Sequence, residues 1–203
     1  KKQENCRIKQ VPLIPEHPNA LPQALTALRQ ADMIVLGPGS LYTSIIPNLL
    51  VDGIVGAVQE STALKVYVAN VMTQEGETEG YTVSDHIAAI FHHSAPGLVD
   101  LCLCNSSPVP KSVAARYAEE GAEPLRGDVD ACAALGVEVV SRPIATVEEG
   151  YVRHHPVHLA RELILLHAER SVRIAGDRFG RRDGGYRMER AGITERGYED
   201  EKK

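Results

Sequence analysis

Short apolar runs along the chain alternate with stretches whose apolar residues recur at helical spacing, and this alternation sets the expected fold. The run Met33-Ile34-Val35-Leu36 has no alternating polar positions and lies between Ala31-Asp32 and Gly37-Pro38-Gly39-Ser40, the pattern of a strand buried on both faces. Further strands are expected over residues 65–69, 98–104 and 136–140, and an edge strand over 7–14, where Pro12 excludes a central position. Helices are expected over 21–30, with Leu21, Ala24, Leu25 and Leu28 on one side, and over 84–92 and 111–120, the latter stopped by Gly121. Shorter helical pieces fall at 45–50, 54–59 and 129–135. A last helix runs over 156–168, with Leu159, Leu163, Ile164 and Leu166 apolar.

Strands alternating with helices mean an α/β fold, a parallel sheet with helices on both faces. Ligands of such sheets sit beyond the carboxyl ends of the strands. Three loops are therefore expected at one edge: 37–44, 70–81 and 105–107. The first holds Gly37 and Gly39, which permit positive φ and close backbone approach, and the hydroxyls of Ser40, Thr43 and Ser44 at N-cap positions. A helix starting there offers unpaired N–H groups to an anion. The loop matches neither phosphate-binding fingerprint: no Lys follows the second glycine, and Tyr42 stands where GxGxxG requires its third glycine.

Composition narrows the picture. The 203 residues, 43% hydrophobic, suit one core plus a tail, read as an α/β domain over 1–169 and a charged, disordered tail over 170–203 that is dense in Arg, Gly, Glu and Asp. Because the chain begins with Lys1, it is expected to be part of something longer. A net charge of -5 argues against general nucleic-acid binding. No apolar run approaches the roughly 20 residues of a membrane span. The four cysteines lack CxxC spacing and read as reduced thiols of a cytoplasmic protein, with Cys102 and Cys104 as small buried residues on one strand face.

An anion held only by backbone dipoles lacks a full counter-charge, so a guanidinium from elsewhere should converge on the first loop. Other constellations are weaker. His154 and His158 are four apart, but Pro156 between them argues against a metal site. Glu75, Glu77 and Glu79 read as a solvated acidic loop before a Mg²⁺ site. Asp85 fits the first turn of a helix. His92 and His93 fit a helix carboxyl end, and no nucleophile with a paired histidine stands out.

Several segments together carry a resemblance. GPGSLYTSIIPNLL at 37–50, NVMTQEGETEGY at 70–81 with SDH at 84–86, EEGAEP at 119–124 and VRHHP at 152–156 resemble the gluconeogenesis-factor (YvcK-type) proteins, relatives of the CofD phospholactate transferases. The likeness covers about residues 8–168 and corresponds to the later part of such proteins, without their amino-terminal glycine-rich loop. It implies a Rossmann-like fold and a bacterial cytoplasmic protein that binds a UDP-sugar of the UDP-N-acetylglucosamine type. It also implies a link between carbon metabolism and cell-wall synthesis and cell shape.

Carried over by motif, Gly37, Gly39, Ser40, Leu41, Tyr42 and Thr43 border the ligand through backbone and hydroxyl groups. Asn70, Thr73 and Gln74 offer amide and hydroxyl contacts, and Arg153 meets the diphosphate. The motif usually written RHD reads Arg153-His154-His155 here, with a histidine in place of its carboxylate. The leading expectation is a binding protein without catalytic or metal-ligating residues. Its expected partners are a nucleotide sugar, cell-wall or metabolic proteins and further copies of itself. The alternative is a CofD-like transferase of a phospholactate-type group, using Mg²⁺ with Asp85 or Glu77 facing the diphosphate.

Overall fold

A computed structural model describes residues 7–180. Residues as far as His167 form one compact unit, and a second begins at Ala168. The order of elements is α1 Pro22–Gln30, β1 Met33–Leu36, a π-helical turn Leu41–Ile45, α2 Ile46–Leu49, α3 Ile54–Glu60, β2 Leu64–Val68, α4 Val83–His93 and β3 Leu101–Asn105. There follow α5 Lys111–Glu119, α6 Val129–Ala134, β4 Glu138–Arg142, β5 Ala145–Glu148, β6 Tyr151–His154 and α7 Pro156–Gly180.

Strands β1 to β4 pair in parallel in the order in which they occur along the chain. When every crossover steps the same way across a sheet and each is right-handed, the connecting helices collect on one face. The side chains bear this out. Ile34, Leu36, Tyr67, Cys102 and Cys104 pack with Leu28 of α1, Leu49 of α2, Val58 of α3, Ile87 and Ile90 of α4 and Cys132 of α6. The alternate positions, Leu64, Val66, Val68, Leu101 and Leu103, pack with Leu159, Leu163 and Leu166 of α7. Helices thus cover both faces of the α/β sheet, as expected, but unequally.

Three expectations need correction. Residues 7–13 form no strand, since Pro12 and the nearby Pro15 lack the N–H that pairing requires. Among the described residues, strand β1 is then the edge of the sheet. Val35, on the α7 face, is 38% exposed, so the strand is not buried on both sides. The last helix continues beyond Ala168 to Gly180, because the 169–180 stretch contains no proline and its Arg, Glu and Ala residues favour a helix. The rest of the expected tail, residues 181–203, lies outside the described residues. The sequence reading also missed an antiparallel pair: β5 and β6 form a hairpin in which Thr146 faces Arg153 and Glu148 faces Tyr151.

Helix α4 begins with a reciprocal cap in which Thr82 and Asp85 each bind the other's backbone N–H, so Asp85 occupies the first-turn position expected of it. One turn in, His86 is fully buried and shares a 2.7 Å hydrogen bond between its Nδ1 and the Tyr67 hydroxyl. Its Nε2 has no partner among the described residues. Burial pushes the His86 pKa down to about 4, with the neighbouring Asp85 charge opposing the shift.

A folded-state value below the ordinary 6.5 means that the unfolded chain binds the proton more tightly. The stability that neutral His86 permits is therefore present above about pH 6.5 and is lost as pH falls towards 4. The expected loss is about 3 kcal/mol across that window. In urea titrations over this pH range, His86→Asn, which keeps a polar atom near the Tyr67 hydroxyl, should show a flatter profile than the parent. Parallel profiles would remove His86 as the source of the acid sensitivity.

Candidate functional site

The carboxyl ends of β1 and β2 open into a cleft of about 480 Å³. Its walls come from the first loop (Gly39 and Ser40), the second loop (Asn70, Thr73 and Gln74), Tyr117 of α5 and Arg153 with His154 of β6. Six of the ten residues proposed from the sequence thus meet in one place: Gly39, Ser40, Asn70, Thr73, Gln74 and Arg153.

The first loop departs from the expected arrangement in its details. Ser40 stands at the N-cap position, yet its side chain caps nothing in the helix. Its hydroxyl instead donates to Gln74 Oε1 at 2.9 Å and ties the two loops together. The first helical hydrogen bonds run from the Ser44 and Ile45 N–H groups to the Ser40 carbonyl, so the amides of Leu41, Tyr42 and Thr43 precede the ladder, while Gly39 and Ser40 are the residues of the bend that line the cleft. The side chains of Leu41 and Tyr42 do not border the cleft. Leu41 is 0% exposed and Tyr42 3%, both inside the core.

The Tyr42 hydroxyl is taken by the Tyr81 hydroxyl at 2.9 Å, and burial followed by that hydrogen bond pushes its pKa well up. Thr43 is exposed and outside the cleft lining. Gly37 has φ +92°, and a Cβ there would lie 3.2 Å from the Val68 carbonyl oxygen and 3.3 Å from Ile45 Cδ1. Its glycine requirement therefore comes from strand packing, and it lines an apolar cavity beside β1.

The second loop is braced from outside. Thr73 exchanges hydrogen bonds with Glu123, its N–H donating to the carbonyl at 2.7 Å and its hydroxyl accepting the Glu123 N–H at 2.9 Å. Leu125 N–H donates to the Val71 carbonyl. The EEGAEP stretch thus acts as a backbone strut for the wall of the cleft. Thr73 itself is 4% exposed. Asn70 lies between this cleft and a second one of about 360 Å³, lined in part by Cys104, Asn105, Ser107 and Ser141. The third loop borders that neighbour.

The β5–β6 hairpin brings the positive charge. His154 donates from Nε2 to the Ala69 carbonyl at 3.1 Å, at the end of β2. Burial lowers its pKa against the opposing pull of that carbonyl. Arg153 is exposed, its guanidinium carbon 5.8 Å from the Tyr151 ring centroid. Among the described residues it forms no ion pair. Tyr117, which the sequence reading did not single out, accepts the Val152 N–H at 3.1 Å through its hydroxyl. The helical spacing of α5 did not mark it, since only the hairpin turns that face into a wall.

No group of three or more His, Cys, Asp or Glu side chains among the described residues is placed to hold a metal ion. His155 and His158 stack at 3.9 Å between centroids, while His154 points to Ala69. Cys102 and Cys104 are buried with their sulfurs 3.8 Å apart. The hydrogen bond the two thiols share, together with burial, raises the Cys102 pKa, and the same bond lowers that of Cys104.

The family profile of 2-phospho-L-lactate transferase CofD matches residues 1–145. The chain belongs to the CofD family. This CofD-family chain is 46% identical over 158 residues to the gluconeogenesis factor of Halalkalibacterium halodurans, covering 78% of this chain and 49% of that protein. The gluconeogenesis factor of Bacillus subtilis is 43% identical, with coverage of 78% and 50%. A crystal structure of a Bacillus halodurans protein superposes with a TM-score of 0.75 at 46% identity, covering 78% of this chain and 51% of that one. A second structure from that organism, described as a member of the UPF0052 family, gives 0.72 at 48%, covering 76% and 50%. The motif resemblance to gluconeogenesis factors and the α/β fold it implied are borne out. The CofD-family chain spans about half the length of the curated relatives it matches. No described helix is long and apolar enough to cross a membrane.

Placing Leu41 in the core has a measurable consequence. Leu41→Ala should cost about 2–5 kcal/mol of stability in denaturant titration, the range for emptying a buried leucine site. A loss below about 1 kcal/mol would mean that this residue does not support the core.

Proposed function

We propose that the cleft binds a nucleotide sugar of the UDP-N-acetylglucosamine type. The protein would act as a non-catalytic cytoplasmic regulator that links carbon metabolism to cell-wall synthesis and cell shape. The diphosphate lies against Gly39 and Ser40, with Arg153 lining the same cleft. The observation that carries this reading is the meeting of a helix-opening bend with an arginine that lacks a carboxylate partner, although the two are far apart along the chain. Backbone dipoles and a planar guanidinium are complementary to phosphate oxygens, and Arg can engage two of them at once. Gln74 keeps its amide N–H groups for a sugar or base, since only its Oε1 is used by Ser40. The relatives' name, gluconeogenesis factor, agrees with a role in carbon metabolism.

The alternative, a Mg²⁺-dependent transferase, draws on the name of the matching family profile. It required Asp85 or Glu77 to face the diphosphate, and neither lines the cleft. Asp85 is occupied by the α4 cap and by Arg7 at 3.4 Å.

Calorimetric titration of the full chain with UDP-N-acetylglucosamine and UDP-glucose tests the proposal. Arg153→Ala should weaken binding by about 10- to 100-fold, the equivalent of roughly 1.5–3 kcal/mol for a charge-assisted hydrogen bond, and should leave Tm within a few degrees. Absence of heat with either nucleotide sugar would sink the reading. A large fall in Tm would instead make Arg153 a structural residue.

A further inference from the structure

Two consecutive residues near the end of α5 hold the hairpin that carries Arg153. The Arg116 guanidinium donates from Nη2 to the Gly150 carbonyl at the hairpin tip. Its central carbon lies 4.5 Å from the Tyr151 ring centroid. The Tyr117 hydroxyl accepts the Val152 N–H, and its ring meets that of Tyr151 edge-on at 6.5 Å. Three successive residues, Gly150, Tyr151 and Val152, are thereby fixed immediately before Arg153.

Gly150 is fitted to this contact. Its φ is +79°, and an added Cβ would lie 2.6 Å from Arg116 Nη1, so the arginine occupies the space that a side chain would need. Tyr151 and Arg153 are two apart on one strand and therefore project to the same face of the hairpin. Both guanidinium groups lie within about 6 Å of the Tyr151 ring, the range in which a cation is drawn to an aromatic face. Arg116 does not line the cleft. It reaches the site only through Tyr151 and the hairpin tip.

We propose that Arg116 is a positioning residue: by holding the Gly150 carbonyl and the Tyr151 ring, it sets the guanidinium of Arg153 beside the cleft before the ligand arrives. The assignment rests on the nucleotide-sugar reading for its effect on affinity, and on the hairpin contacts alone for its effect on Arg153. A floppy arginine must be ordered on binding, whereas a prearranged one has already lost that freedom. Planarity is essential here. A lysine keeps the charge but loses both the fork that reaches a carbonyl and the flat face that lies on a ring.

The test uses Arg116→Lys in the full chain, titrated with UDP-N-acetylglucosamine. Affinity should fall roughly five- to twenty-fold with Tm nearly unchanged, as expected when preorganisation is lost but the contact survives. In an Arg153→Ala background, the same substitution should change affinity by less than about twofold, because a residue acting through Arg153 has nothing left to act on. Equal losses in both backgrounds, or no loss in the parent, would overturn the assignment. A readout without ligand separates this from the ligand reading. The Arg153 Nε–H resonance in the nitrogen-edited NMR spectrum should move towards that of a freely rotating guanidinium in Arg116→Lys, and an unmoved resonance refutes positioning. A moved resonance in a chain that binds neither nucleotide sugar would uphold Arg116 as the clasp and reject the ligand.

Discussion

The Asn105 carboxamide oxygen accepts both the Ser107 and the Ala145 N–H groups, at 2.9 and 3.1 Å, and so fixes two points of the chain to the carboxyl end of β3. One is where the chain leaves the sheet after β3, and the other is where it returns, after β4, to begin the hairpin. Nearby, the His155 N–H donates to the Ile144 carbonyl, and His154 anchors the far end of β6 to Ala69. A hairpin of two four-residue strands is not stable alone in water. These fixings, with the α5 clasp, give it a defined place. The position of Arg153 depends on that attachment.

The parallel sheet supplies the other half. Because β1 and β2 run the same way, the loops that follow them emerge side by side, and the Ser40–Gln74 hydrogen bond makes one wall of two segments that are distant in the chain. The apolar contacts beneath have a separate task. Leu41, Tyr42, Ile45 and Ile46 lock the start of the helical segment into the core, so the amides above them stay where the bend leaves them. The motif GPGSLYTS is therefore divided between an outer surface and an inner one. Gly39 and Ser40 face the cleft, while Leu41 and Tyr42 serve as packing.

Much of the architecture was legible because buried parallel strands are short continuous apolar runs. The 65–69 and 98–104 stretches became β2 and β3 with shifts of a few residues at their ends. The hairpin was not legible in this way. Its residues are half-buried or exposed, so ATVE and YVRH carry little hydrophobic contrast. A faint signal was present in Glu149-Gly150, two residues with positive φ between alternating stretches, a composition suited to a tight two-residue turn. The burial of Leu41 and Tyr42 was also foreshadowed, since Leu41, Ile45 and Leu49 recur every four residues and Tyr42 and Ile46 join them on the inner side. The glycines and hydroxyls interleaved with it mask that helical stripe. The edge position of β1 had no local signature at all, because strand order is a property of the whole sheet.

The hairpin's place in the chain has a consequence for how the site is made. All four sheet strands precede it, so a nascent polypeptide emerging from the ribosome can assemble the sheet and both amide-bearing loops while Arg153 is still in the exit tunnel. Until that residue emerges, the bend has its dipoles and no matching cation. The pocket is thus completed only after the four sheet strands, by the two short strands that precede α7.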